Sequence, residues 1–117
     1  MARPRVLALW AACVVLCGCQ SEDQRLAQAA ARGKATATLW CSECHRVSPD
    51  QPSGARAGHT LPAPMTVPSF MAVADRPNID RDQLRKFVSE LHLPMPTFRL
   101  SPAEQEDVIT YIVSLKE

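Results

Sequence analysis

Aromatic residues and glycines are scarce in this chain: three Phe, two Trp, one Tyr and four Gly in 117 residues. One tryptophan, Trp10, falls within the first eighteen residues, which leaves five aromatics to fill a core. No internal repeat and no low-complexity block is present. Basic runs and basic helix faces are missing too, so nucleic acid is not an expected partner. The five cysteines are an odd number, which excludes a plain disulfide framework. Nine of the ten prolines lie between Pro49 and Pro102, which excludes a regular sheet or a simple long-helix bundle there. The length allows one domain at most.

Acidic residues are absent from the first eighteen positions, where Arg3 and Arg5 precede an apolar run from Val6 to Cys17. A basic start and an apolar run of this length fit an export signal better than a membrane span, which needs roughly 20 apolar residues. The run ends Leu16-Cys17-Gly18-Cys19 and resembles the bacterial lipobox. That resemblance implies removal of residues 1–18 and a lipid on Cys19, the first mature residue. An ordinary signal peptide or an uncleaved anchor is the alternative. Gln20, rather than an aspartate, follows Cys19, which slightly favours the outer membrane. Loss of Arg3 and Arg5 turns 13 basic against 12 acidic residues into 11 against 12, a net charge of −1.

The rest of the chain reads as helices between two proline-rich loops. Residues 20–32 are polar and alanine-rich, with a capping box at Ser21 and Gln24. Gly33, Ala37, Trp40 and Cys44 follow at the spacing of one helix face. A loop is expected from Ser48 to about Ser69, then a short helix through Ala74 with Pro68 at its start. Asp80 or Asp82 caps a helix running to Leu91, whose apolar stripe is Leu84, Phe87, Val88 and Leu91. Residues 92–100 are extended around Pro94 and Pro96. A last helix starts at Ser101, with Pro102 at its first position and Glu104 closing a capping box. Its buried stripe is Val108, Tyr111, Ile112 and Leu115. A loop of about twenty residues is unusual in a compact domain. Together with so few aromatics, it points to a large prosthetic group standing in for missing core.

Cys41-Ser42-Glu43-Cys44-His45 is a CxxCH motif, the attachment signature of c-type haem. Two thioethers must reach two vinyl groups on one edge of the porphyrin, and the histidine must then reach the iron. Three other readings exist. A zinc site would need His59 or His92 as a further ligand, and there is no second CxxC. A redox CxxC would sit in a βαβ unit, and no strand alternation is visible. The third is a plain structural disulfide.

The chain from Gly33 to Glu117 resembles the class I mono-haem cytochrome c domain. The resemblance implies an all-α, cytochrome c-like fold of three to four short helices around one covalent haem c, with long proline-rich loops. The implied layout is a signal at 1–18, a tether or helix start at 19–32, and the cytochrome domain at 33–117. Gly33 stands eight residues before Cys41, as in the family, where it lets the first and last helices cross against an aromatic, here Tyr111. Ala37 departs from the family, which usually has an aromatic there; Trp40 is the candidate to fill that space. Cys41 and Cys44 would hold the ring and His45 the iron. The sixth ligand implied is Met95, in a segment that Pro94 and Pro96 stiffen. His92 is its rival, Met65 and Met71 read as core filler, and His59 reads as a solvated loop residue.

A carbonyl in the loop from Pro62 to Pro68 is expected to accept the His45 ring N–H, with Pro62 and Pro64 as the two candidates. Phe70, Phe87 and Phe98 are expected on or beside the haem, and Arg99 or Trp40 near a propionate. Iron held by His and Met has no open position, which suits one-electron transfer and not substrate chemistry. The expected function is therefore a single-electron carrier on the periplasmic face of a bacterial membrane. It would meet larger redox proteins briefly and take no small-molecule substrate. The alternatives are a small-gas sensor with a displaceable sixth ligand and a fixed electron-transfer subunit of a dehydrogenase or oxidase. A peroxidase is disfavoured by the single CxxCH and the lack of a clear acid–base pair.

Overall fold

The computed structural model describes residues 20–51, 67–90 and 100–116. Among these the regular structure is all helical, with no strand. Four helices follow one another: α1 Glu22–Trp40, α2 Phe70–Ala74, α3 Arg81–Ser89 and α4 Pro102–Ser114. Each begins where a side chain can satisfy backbone N–H groups that the helix itself leaves open. Ser21 Oγ accepts from the Gln24 N–H, and Gln24 Oε1 accepts from the Ser21 N–H, at 3.3 and 3.2 Å. Ser101 and Glu104 repeat the box at α4 behind Pro102. Ser69 caps α2 through the Ala72 N–H, and Asp80 caps α3 through the Gln83 N–H at 2.8 Å. Each such cap is worth about 1 kcal/mol. Asn78 makes the turn between α2 and α3 in the left-handed region, at φ 70°, which asparagine tolerates better than most residues.

The core lies where α1 and α4 cross. A methyl group at Gly33 would lie 2.0 Å from the Asp107 carbonyl oxygen and 2.8 Å from Tyr111 Cβ. Only glycine permits that approach. Ala37, one turn on, is fully buried. Val108, Ile109, Tyr111 and Ile112 face it from α4, joined by Val47, Phe70, Ala74 and Leu84. Arg32 locks the crossing from outside: its Nε and Nη2 donate to the two Asp107 carboxylate oxygens at 2.7 and 2.8 Å. A bidentate fork of this kind adds geometric specificity to the charge attraction.

The short α3 is held to α4 by Leu84 and by a set of charges. Arg81 Nη2 donates to Thr110 Oγ1 at 2.9 Å and to Glu106 at 3.3 Å. Arg85 donates to both Glu106 oxygens, at 2.6 and 3.2 Å, and to Asp82. The Arg85 hydrogen bond is the main cause holding the Glu106 carboxyl below its ordinary value.

Four expectations are corrected. Helix α1 runs unbroken for 19 residues from the Ser21 cap and ends at Trp40, so Cys44 lies beyond it and not on its face. Trp40, on the last turn, is 47% exposed and does not fill the space beside Ala37. Pro68 precedes the Ser69 cap instead of opening α2, because the cap must be extended and its hydroxyl must face back. In α3 the stripe is narrower than the periodicity implied: Leu84 is buried, but Phe87 is 53% exposed. The helix presents Leu84, Arg81 and Arg85 to α4, and Phe87 falls outside that contact.

Gly33→Ala is expected to destabilise the folded protein by about 1–3 kcal/mol, as overpacking against rigid backbone does, read from the denaturant midpoint. Glu106 gives a pH prediction. Its folded pKa is depressed below the ordinary 4.5, so its contribution is complete above that value and is lost as pH falls through the folded pKa. The melting-temperature gap between wild type and Glu106→Gln should hold at neutral pH and close on acidification.

Candidate functional site

The last turn of α1 runs directly into the CxxCH motif. The Cys41 N–H bonds the Ala37 carbonyl at 2.8 Å, which caps the helix. The chain then winds once more: the N–H groups of Cys44 and His45 both bond the Cys41 carbonyl, at 3.2 and 2.8 Å. Residues three and four apart in such a turn are neighbours, so one turn brings the two thiols and the imidazole together. Cys41 is buried and Cys44 half-buried. Burial, helped by neighbouring Cys44, pushes the Cys41 thiol up to about 11, so it is neutral at neutral pH.

His45 is anchored through its ring. Nδ1 lies 2.8 Å from the Pro68 carbonyl oxygen. A carbonyl can only accept, so Nδ1 carries the proton and the lone pair is on Nε2, the nitrogen a metal would use. The Phe70 ring lies tilted against the imidazole, with centroids 5.5 Å apart, and against Tyr111 at 6.5 Å. Phe70 is buried, as a residue beside a prosthetic group should be. Tyr111 reaches from α4 to donate its hydroxyl to the Val47 carbonyl at 2.8 Å.

The ring anchor is Pro68, neither Pro62 nor Pro64. What selects it is a pairing no local pattern reveals: the Phe70 N–H bonds the Arg46 carbonyl at 2.9 Å and brings residues 68–70 alongside 45–46. The Tyr111–Val47 bond and the part played by Gln51 were likewise absent from the sequence reading. Gln51 Oε1 accepts from the Val47 N–H at 2.8 Å. Only the position of Tyr111 on the buried face of the last helix gave a hint. Met95, Pro62, Phe98, Arg99, His92, His59, Met65 and Cys19 lie outside the described residues.

The residues present fit a covalently held haem. Two thiols stand at the attachment spacing. An imidazole is fixed in the tautomer that frees Nε2 for iron, by the kind of outer partner such ligands use. Cys41 and Cys44 would hold the ring, and His45 would hold the iron. Among the described residues no group of three or more His, Cys, Asp or Glu side chains gathers as a cage for a bare metal ion.

Tyr111→Phe leaves the Val47 carbonyl without its buried donor. It should cost about 1–3 kcal/mol of stability by denaturant titration, with the haem still attached.

Comparison with known proteins agrees with this geometry. The family model described as cytochrome c matches residues 30–116. The chain is 36% identical over 104 residues to a protein named cytochrome c-552 from Bradyrhizobium diazoefficiens, covering 89% of this chain and 91% of that protein. No solved structure gives a significant match. The matched stretch contains the Gly33 crossing, the CxxCH turn and the His45–Pro68 bond, and the chain belongs to the cytochrome c family.

Proposed function

We propose that this c-type cytochrome, an electron carrier, works with a single haem on Cys41 and Cys44 and with His45 and Met95 as axial ligands. Bound haem supplies a one-electron couple at its iron. The observation that carries the reading is the 2.8 Å bond from His45 Nδ1 to the Pro68 carbonyl within the CxxCH turn. That bond holds the imidazole in the tautomer that frees Nε2, so a change of charge at an iron bound there would need little movement of the ligand. Phe70, buried against the ring, keeps water from that side of the imidazole. A thioether from Met95 would favour the reduced state and close the sixth position, leaving no place for substrate. The protein then acts as a carrier and has no substrate chemistry of its own.

Residues 1–18 would direct export, and a lipid on Cys19 would tether the mature protein to the periplasmic face of a bacterial membrane, the outer one slightly favoured. No helix among the described residues is long and apolar enough to cross a membrane. Partners would be larger redox proteins, met through small, brief interfaces.

Spectra and a redox titration of the exported, haem-loaded protein test this. One haem per chain, a one-electron titration and a ferric sulfur-to-iron charge-transfer band are expected. The band should vanish in Met95→Ala and persist in His92→Ala. A wild-type protein without that band, or one whose ferrous form binds carbon monoxide at neutral pH, overturns the carrier reading with His/Met ligation.

A further inference from the structure

We infer that Gln51, interlocked with Arg46, sets the plane of the His45 imidazole and through it the electronic state of the iron; the inference rests on His45 being the axial ligand. The two side chains cross in opposite directions over a six-residue turn. Arg46 Nε donates to the Gln51 carbonyl at 3.0 Å, and Nη2 to the Pro49 carbonyl at 2.6 Å. In return Gln51 Oε1 accepts from the Val47 N–H at 2.8 Å. Its Nε2 lies 3.5 Å from both the Ser42 and the His45 carbonyls and shares its donors between them. The Gln51 N–H closes the turn on the Ser48 carbonyl at 3.1 Å. One side chain therefore touches the backbone inside the CxxCH motif, at the histidine itself, and two residues beyond it.

The ring needs this second hold. The bond from Nδ1 to Pro68 fixes one atom of the imidazole and Phe70 packs tilted against the ring, while the position of the Cα end sets the rest of its orientation. The plane is defined only when the Cα end is fixed as well. At that end the His45 N–H is bonded to Cys41, the Arg46 carbonyl accepts from Phe70, and the Val47 carbonyl accepts from Tyr111. Gln51 serves the Val47 N–H at 2.8 Å and, at 3.5 Å, the His45 carbonyl. Val47 is 1% exposed, so water cannot readily replace the amide there. Without Gln51 the downstream backbone loses two of its ties while those from Phe70 and Tyr111 remain, and the ring settles in a different plane. The plane of an axial imidazole decides which of two nearly equal iron d orbitals carries the unpaired electron of the ferric state. That choice sets the order of the haem methyl resonances and the g-anisotropy. Outer hydrogen bonding of this kind is one of the protein's means of tuning a haem. Gln51 is thus a positioning residue for electron transfer, acting through His45.

The test uses the full, haem-loaded chain with Gln51→Leu, Gln51→Glu and Arg46→Lys. Gln51→Glu keeps an oxygen for the Val47 N–H but loses the donors to His45 and Ser42, which separates closing the turn from orienting the ligand. Both Gln51 variants should show reordered haem methyl shifts in the ferric NMR spectrum and altered g values, and the uncharged Gln51→Leu a shifted midpoint potential as well. Gln51→Glu should change methyl order and g values with an unfolding midpoint near wild type, and Arg46→Lys should move the same signals less. Where Gln51→Leu fails to load haem, Gln51→Glu decides. Wild-type methyl order and g values in Gln51→Glu overturn the inference, even if stability falls. A wild-type ferric spectrum without histidine-ligated low-spin iron sinks the ligation reading instead.

Discussion

The fold depends on how closely α1 and α4 approach at Gly33. With the Asp107 carbonyl 2.0 Å from where a side chain would begin, the helix backbones are in direct contact. That contact decides what each helix can deliver. It places the end of α1, where Cys41 begins the attachment turn, beside the middle of α4 and so within reach of Tyr111. Tyr111 then spans from one helix to the loop after the motif and fixes Val47. A wider crossing would separate the tyrosine from that carbonyl, and the segment after His45 would lose its tie to the core. The Arg32–Asp107 fork lies at the same crossing and resists sliding of one helix along the other.

Downstream of the crossing, order passes through backbone groups more than through side-chain packing. Residues 45–47 are bonded in turn to Cys41, Phe70, Gln51 and Tyr111, partners from four parts of the chain. A chain with five aromatics after its first eighteen residues has limited apolar material for fixing a loop. Hydrogen bonds give direction where packing gives only proximity, and a metal ligand needs direction. Two of these partners, Cys41 and Gln51, are local and close short loops at small entropic cost, while Phe70 and Tyr111 tie the segment to the distant core.

Much of this was legible in the sequence because it is local or periodic. The Ser21–Gln24 and Ser101–Glu104 boxes were visible, since capping chemistry acts over three residues. The CxxCH turn was visible because covalent attachment dictates its spacing. Gly33 was legible only through resemblance to a family, as nothing local says that a glycine faces another helix. The choice of Pro68 was not legible, because it follows from the pairing of Phe70 with Arg46, 24 positions apart. Trp40 and Phe87 are less covered by the protein than their spacing implied, for a related reason. Periodicity identifies an apolar face but not how much of it a neighbour covers, and α4 reaches only part of α1 and α3. The bridging by Arg81, Arg85 and Glu106 had no sequence signal, since charged residues on a helix are by default solvated.

A carrier gains from this arrangement in a specific way. When iron gains or loses an electron, any ligand free to move relaxes, and that relaxation raises the barrier to the next transfer. His45 sits at the meeting point of two independent holds. One is on its ring, from a residue 23 positions away, and one is on its backbone, from a turn that begins at the next residue. The distant hold depends on α2 docking onto the core through Phe70, so it is only as firm as the tertiary structure. The local hold closes within six residues and needs no helix to be in place. Loss of tertiary contact would therefore loosen the ring before the backbone. The imidazole would keep its reach to the iron while losing its orientation.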